Sequence, residues 1–244
     1  MRSLLAVCLL GLPFACARAD GDPQTRAAPP GVAEGPVVLE LFTSQGCSSC
    51  PAADRLLSKL ATAGTLGDRA VAPLSFHVDY WNDLGWADPF SLAAWTERQH
   101  QYARALKDDR VYTPELVVGG ARGVVGSDTA AVAQAIQRAA APALLAATAT
   151  WSPESVNVAA TAPADADVWV AVWEARTTTK VTRGENAGET LGSDRVVRRL
   201  ARVAPAGQKG SVVLKLDPGW RNTGAVAFAQ RTDLHIVAST LLGH

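Results

Sequence analysis

The stretch Val37-Val38-Leu39-Glu40-Leu41-Phe42-Thr43-Ser44-Gln45-Gly46-Cys47-Ser48-Ser49-Cys50-Pro51 decides the reading of this chain. Val37 to Phe42 is a short β-branched and apolar run, the pattern of a buried strand. Thr43 to Gly46 reads as a turn. Pro51 suits the first turn of a helix, where its missing N–H costs nothing. Leu56, Leu57 and Leu60 give that helix one apolar face, and Gly64 ends it. Val71 to Val78 follows as a second strand, so strand, helix and strand fall within about forty residues as a βαβ unit.

Two residues between Cys47 and Cys50 let their sulfurs meet across the first helical turn. Unpaired N–H groups and the helix dipole there favour a thiolate on the first cysteine. A thiolate attacks disulfides at neutral pH, and the second cysteine then resolves the mixed disulfide. The spacing alone also serves zinc sites and structural bridges. The strand–helix setting, without a second Cys-x-x-Cys, favours redox chemistry by Cys47 as nucleophile and Cys50 as resolving thiol.

Outward from this motif, Leu4 to Leu12 is an apolar run behind Arg2, too short to span a bilayer, and Ala17-Arg18-Ala19 has the form of a signal-peptidase site. The expectation is a leader over 1–19 and a periplasmic or secreted mature protein. Cys8 and Cys16 leave with the leader, so Cys47 and Cys50 become the mature chain's one cysteine pair. The 244 residues are 48% hydrophobic with zero formal net charge, which is ample for a large core. No basic block points to nucleic acid, and no mature segment reads as a stable membrane insertion.

Residues 20–35, rich in Ala, Pro and Gly, read as a flexible linker. Asp79 to Arg110 reads as a helical insertion, with Asp88-Pro89 starting a helix near 90–107. Val111-Tyr112-Thr113-Pro114 leads into a strand over 115–118, Gly119-Gly120 turns it, and Ser127 caps a further helix to about 140. Beyond Pro142 the chain becomes short strands separated by turns, as in the alternating Val168-Trp169-Val170-Ala171-Val172-Trp173. The expected fold class is therefore an α/β thioredoxin-like domain with a helical insertion (36–142), followed by an all-β sandwich-like domain (143–244).

The βαβ unit, the cysteine pair at a helix start and Thr113-Pro114 before a strand together resemble the thioredoxin fold. That resemblance implies a cis Pro114 facing the cysteines, with Thr113 beside it against substrate main chain. Leu39 to Pro51, His77-Val78-Asp79-Tyr80-Trp81, Val111 to Pro114 and Arg183-Gly184-Glu185-Asn186-Ala187-Gly188 resemble the DUF1223 family of exported thioredoxin-like proteins more closely. The family implies fold and compartment, without a substrate. Where it leads one to expect His-Asn after Leu191, this chain has Ser193-Asp194-Arg195.

Further candidates surround the pair. Asp79 and the buried-strand Glu40 are candidate proton acceptors. His77 shares a strand face with Asp79 and stands ready for the Cys47 thiolate or a metal. Tyr80 and Trp81 offer an apolar platform for a substrate chain. The Gly184–Gly188 loop is a candidate to reach the site from the second half. The favoured function is an exported thiol–disulfide oxidoreductase acting on protein thiols, disulfides or a redox partner, with no cofactor. The alternatives are a periplasmic copper-binding protein using Cys47, Cys50 and His77, and a non-catalytic interaction module with a structural disulfide.

Overall fold

β1 (Val37–Thr43) is buried along its whole length. Alternation sends Val37, Leu39 and Leu41 to one face and Val38, Glu40 and Phe42 to the other, and both faces are covered, as a near-continuous apolar run requires. This and all that follows comes from a computed structural model describing residues 33–108 and 110–243. The expected leader and the linker up to residue 32 lie outside the described residues. α1 (Cys50–Ala63) has Pro51 in its first turn and ends at Gly64, whose left-handed backbone lets its N–H reach Leu60 O. β2 (Thr65–Leu66) then turns back against β3 (Arg69–His77). β3 runs parallel to β1, from Val37 opposite Val71 to Thr43 opposite His77.

The insertion carries a single 3-10 turn, Asn82–Leu84, and α2 (Ala93–Leu106). α2 begins five residues after Asp88, because the Asp88 carboxylate is held elsewhere, by the Gln45 and Phe90 N–H groups and by His77. β4 (Glu115–Val118) lies antiparallel to β1 and forms a hairpin with β5 (Arg122–Val125) around Gly119 and Gly120. α3 (Thr129–Arg138) is capped by Asp128, not Ser127: the carboxylate accepts from the N–H groups of Ala130 and Ala131.

After residue 142 come β6 (Ala143–Leu144), β7 (Ala147–Trp151), β8 (Ser155–Thr161), β9 (Asp167–Glu174), β10 (Thr177–Lys180), β11 (Thr190–Ser193), β12 (Val196–Ala204), β13 (Lys209–Lys215), β14 (Thr223–Gln230) and β15 (Ile236–Leu242). Their arrangement corrects the expected fold class. They do not build a sandwich beside a thioredoxin-like α/β domain. β12 docks parallel to β3, with Val196 opposite Ser75 and the Ser75 N–H on Arg195 O at 2.9 Å. The result is one ten-stranded mixed sheet in the order β5-β4-β1-β3-β12-β9-β14-β15-β6, with β2 attached to β3. The protein is predominantly β, with three α-helices among its described residues.

The physical reason lies in β3. Its last seven residues are buried, so the edge that β1 leaves free must find backbone partners, and β12 supplies them. α1 and α3 cover one face through Leu39, Leu41, Leu57, Val132 and Ile136. α2 covers the other, where Phe42, Phe76, Trp95, Tyr102 and Phe228 pack together across both halves of the chain. A three-stranded sheet, β13-β8-β7, lies on the small side chains Ala225, Ala227 and Ala229 of β14 and on the valines of β9. Each fully buried Phe contributes roughly 2–3 kcal/mol, so the Phe42–Phe76–Phe228 cluster welds the halves into one sheet. Among the described residues, no helix is long and apolar enough to cross a membrane.

Candidate functional site

Cys47 and Cys50 form a disulfide with Cα atoms 5.4 Å apart. The tight turn that brings them together is held by Cys47 N–H on Ser44 O and Cys50 N–H on Cys47 O, both 3.2 Å. Cys47 Sγ lies 3.3 Å from Ser49 Oγ and 3.9 Å from Thr113 O. That distance sets Thr113 against the first cysteine, and the Thr113–Pro114 peptide is cis. Both cysteines are 0% exposed, while Ser48 and Ser49 between them face solvent.

Trp81 closes one side. Its Nε1 donates to Thr113 Oγ1 at 2.8 Å. A Cβ on Gly46 would stand 3.1 Å from Trp81 Cβ, so the residue before Cys47 is small because the indole stem occupies that space. Trp86 Nε1 donates to Gln45 Oε1 at 3.3 Å.

The second half of the chain closes the other side. The loop between β10 and β11 brings Asn186 to Gln45 O (2.9 Å) and Cys47 O (3.0 Å), and Glu185 Oε2 to the Ser48 N–H (3.0 Å). Gly184 has a φ of +77° and Gly85 one of +105°, and a Cβ on Gly85 would lie 3.2 Å from Gly184 Cα. Only glycines allow the loop and the insertion this approach.

Next to the cysteine turn, bound to the Gln45 N–H and to the end of β3, is a buried charged group that sequence reading partly missed. His77 stands opposite Thr43 in the β1–β3 register, and its Nδ1 is 2.7 Å from Asp88 Oδ2. Burial pulls the His77 pKa down, but the charge and hydrogen bond of Asp88, helped by Asp54, outweigh it and hold it above the usual value. For Asp88 burial pulls up, and His77 with the Gln45 and Phe90 N–H groups outweighs it, so its pKa is lowered. The two opposed shifts both favour the charged form of the pair. Asp54, one helical turn after Cys50 on α1, is pushed by burial up to about 6, against the opposing pull of the His77 charge and the nearby Thr43 hydroxyl. That hydroxyl makes no well-formed hydrogen bond, and Thr43 Oγ1, Asp54 Oδ1 and His77 Nε2 are all buried without partners. The sequence signal for Asp54 was the four-residue spacing from Cys50, which stacks both on one helix face. Asp88 was read only as a helix start.

The remaining candidates are bound to partners other than the cysteines. The Asp79 carboxylate accepts from Thr96 Oγ1 at 2.5 Å. Glu40 points to the α2 face of β1, opposite to Leu39 and Leu41, and is paired with Arg98 at 2.5 and 2.9 Å and with Tyr102. Tyr80 is partly exposed and donates to Gln99 Oε1 at 3.2 Å. Among the described residues, no group of three or more His, Cys, Asp or Glu side chains is placed to share a metal ion. With the two sulfurs bonded to each other, a joint Cys47–Cys50–His77 copper site is not formed in this oxidised state.

Fold and site together define a β-rich protein with a buried Cys-x-x-Cys disulfide at a helix start, gripped from both halves of its chain. The chain belongs to the family described as protein of unknown function (DUF1223), which matches residues 38–230. It is similar to the crystal structure of protein AGR_C_4864 from Agrobacterium tumefaciens, with 30% identity and a TM-score of 0.66 over 86% of this chain and 95% of that one. HBP35 of Porphyromonas gingivalis shares the fold at 15% identity, with a TM-score of 0.60 over 87% of this chain and 76% of that one. No curated protein matches the chain.

Proposed function

We propose that the protein is an exported thiol–disulfide oxidoreductase acting through Cys47 and Cys50 on protein thiols or disulfides, without a cofactor. The observation that carries the reading is the disulfide itself, closed at the first turn of α1 one helical turn ahead of a buried, high-pKa carboxyl, Asp54. In the oxidising direction a substrate thiolate attacks Cys47 Sγ, the S–S bond breaks, and Cys50 leaves as a thiolate that takes the Asp54 proton. A second substrate thiolate then displaces Cys47 from the mixed disulfide. The substrate loses two electrons as it becomes a disulfide, and the protein pair gains them as a dithiol. The reducing direction is the reverse, with Asp54 accepting the Cys50 proton. The cis Thr113–Pro114 segment beside Cys47 is suited to steady substrate main chain, and Tyr80 and Trp81 to take its apolar side chains. Export rests on the apolar run Leu4 to Leu12 followed by Ala17-Arg18-Ala19.

A second reading has an observation of its own: the complete burial of both cysteines suits a static bridge in an interaction module. The reduction potential and the Cys47 thiol pKa decide between them. A Cys50→Ser variant that accumulates mixed disulfides on Cys47, with a lowered thiol pKa, supports the oxidoreductase. A potential below about −300 mV with an ordinary thiol pKa overturns it in favour of the bridge. Stoichiometric Cu(I) binding by the reduced protein, lost in His77→Ala, would move the same cysteines to metal handling.

A further inference from the structure

Glu185 reaches the cysteine loop from far along the chain. Its Oε2 accepts the Ser48 N–H at 3.0 Å, and Ser48 sits between the two cysteines. The side chain is exposed, and its partners are the Ser48 N–H and hydroxyl. Neighbouring Asn186 is buried and pinned to Gln45 O and Cys47 O, so the carboxylate has a fixed anchor. Gly184, in a left-handed conformation against Trp86, fixes the other flank.

This placement opposes the usual electrostatics of a helix-start cysteine. Amide N–H groups and the helix N-terminus stabilise a thiolate. Here one loop N–H adjacent to Cys47 is already taken by a carboxylate, Pro51 has none to offer, and the Cys50 N–H is bound to Cys47 O. A negative charge beside the nucleophile disfavours a second one.

We infer that Glu185 is a positioning residue that restrains the Cys47 thiolate, so that the second half of the chain sets the reactivity and redox poise of the cysteine pair. The inference rests on the oxidoreductase reading for its meaning but has its own observable. Destabilising the thiolate destabilises the reduced form, so Glu185 makes the pair less oxidising than its helix position alone would.

The test uses the full mature chain with Glu185→Gln, which keeps an acceptor for the Ser48 N–H and removes the charge, beside Glu185→Ala and the exposed control Glu189→Gln. The Cys47 pKa is read from thiolate ultraviolet absorbance in the reduced protein, and the potential from equilibration with glutathione. Because Glu185 is exposed and solvent screens it, the expected gain is modest, about threefold in the thiolate equilibrium. A matching threefold change in the redox equilibrium raises the potential by about 14 mV. The difference should shrink in molar salt, where the screening length falls to about 3 Å, and Glu189→Gln should match wild type. An unchanged or raised Cys47 pKa in Glu185→Gln overturns the inference, as does an equal shift in Glu189→Gln. The oxidoreductase reading fails separately, through an ordinary wild-type pKa and a low potential, while the Glu185 effect on Cys47 stays measurable.

Discussion

The Asn186 side-chain amide donates to the carbonyls of both Gln45 and Cys47, at 2.9 and 3.0 Å, across 139 residues of chain from the cysteine. One neutral side chain thus ties the cysteine turn to the β10–β11 loop, and the junction of β3 with β12 brings that loop into reach. Asn186 is 7% exposed, so neither carbonyl can readily turn to water if the amide is lost.

Asn186→Ala should lower the stability of the oxidised protein by about 1–3 kcal/mol, the cost of leaving buried acceptors without donors. Denaturant unfolding measures this. The same variant should speed reduction of the disulfide by dithiothreitol several-fold, because the turn that buries Cys47 is no longer clamped. A stability loss with unchanged reduction kinetics would separate the clamp from access to the sulfurs.

Asp54→Asn should stabilise the protein at pH 8 and not at pH 4. Asp54 titrates near 6 in the folded protein against about 4 when unfolded. The folded state therefore binds more protons between those values, and stability is lost as pH rises from about 4 through 6. The asparagine variant has no such loss and should gain up to about 3 kcal/mol above pH 6. Unfolding at the two pH values checks the sign. If Asp54 also serves Cys50, the variant should raise stability while slowing release of the mixed disulfide.

Much of this architecture was legible in the residues. Val37 to Phe42, Leu56-Leu57-Leu60 and the alternating valines near 170 announce their elements because periodicity is local. The pairing of β3 with β12 was not legible: it rests on one parallel register pair, Val196 with Ser75, and neither residue carries a pattern naming its partner. Runs that read equally well as sandwich strands thus became a continuation of the first sheet. At the site, the glycines of the Arg183–Gly188 loop marked it, while Asp54 hid as one polar residue on an amphipathic helix. Glu40 misled for the opposite reason: its strand passes near the cysteines, but alternation turns it to the α2 face.

Asp88→Asn should lower the His77 pKa, since burial then acts on the imidazolium without its counter-charge. In wild type the raised His77 value means stability present below about 6.5 and lost as pH rises through the folded value. The lowered Asp88 value means stability present above its ordinary value and lost as pH falls through the folded one. The pair therefore stabilises most between them. The variant should lose roughly 3 kcal/mol in that window and far less at alkaline pH, and NMR titration of His77 follows the shift directly.

Glu40→Gln gives the sharpest division between Glu40 and Asp54. Glu40 is bound to Arg98 through both oxygens and also accepts from Tyr102, whose hydroxyl in turn accepts from Gln230 Nε2 of β14. Removing its charge leaves the Arg98 guanidinium buried without a counter-ion, a loss of about 3–5 kcal/mol. Arg98 also stacks over Phe76, Tyr102 and Phe228, so the disturbance should spread through the core that joins the two halves of the sheet. On the opposite face of β1, the cysteine pair and Asp54 should be untouched. Glu40→Gln is thus expected to unfold at much lower denaturant while the Cys47 thiol pKa and the reduction potential of the folded protein stay at wild-type values. Asp54→Asn should do the reverse, raising stability and changing the thiol chemistry. A changed thiol pKa in Glu40→Gln would return Glu40 to the proton-handling role its place in the sequence suggests.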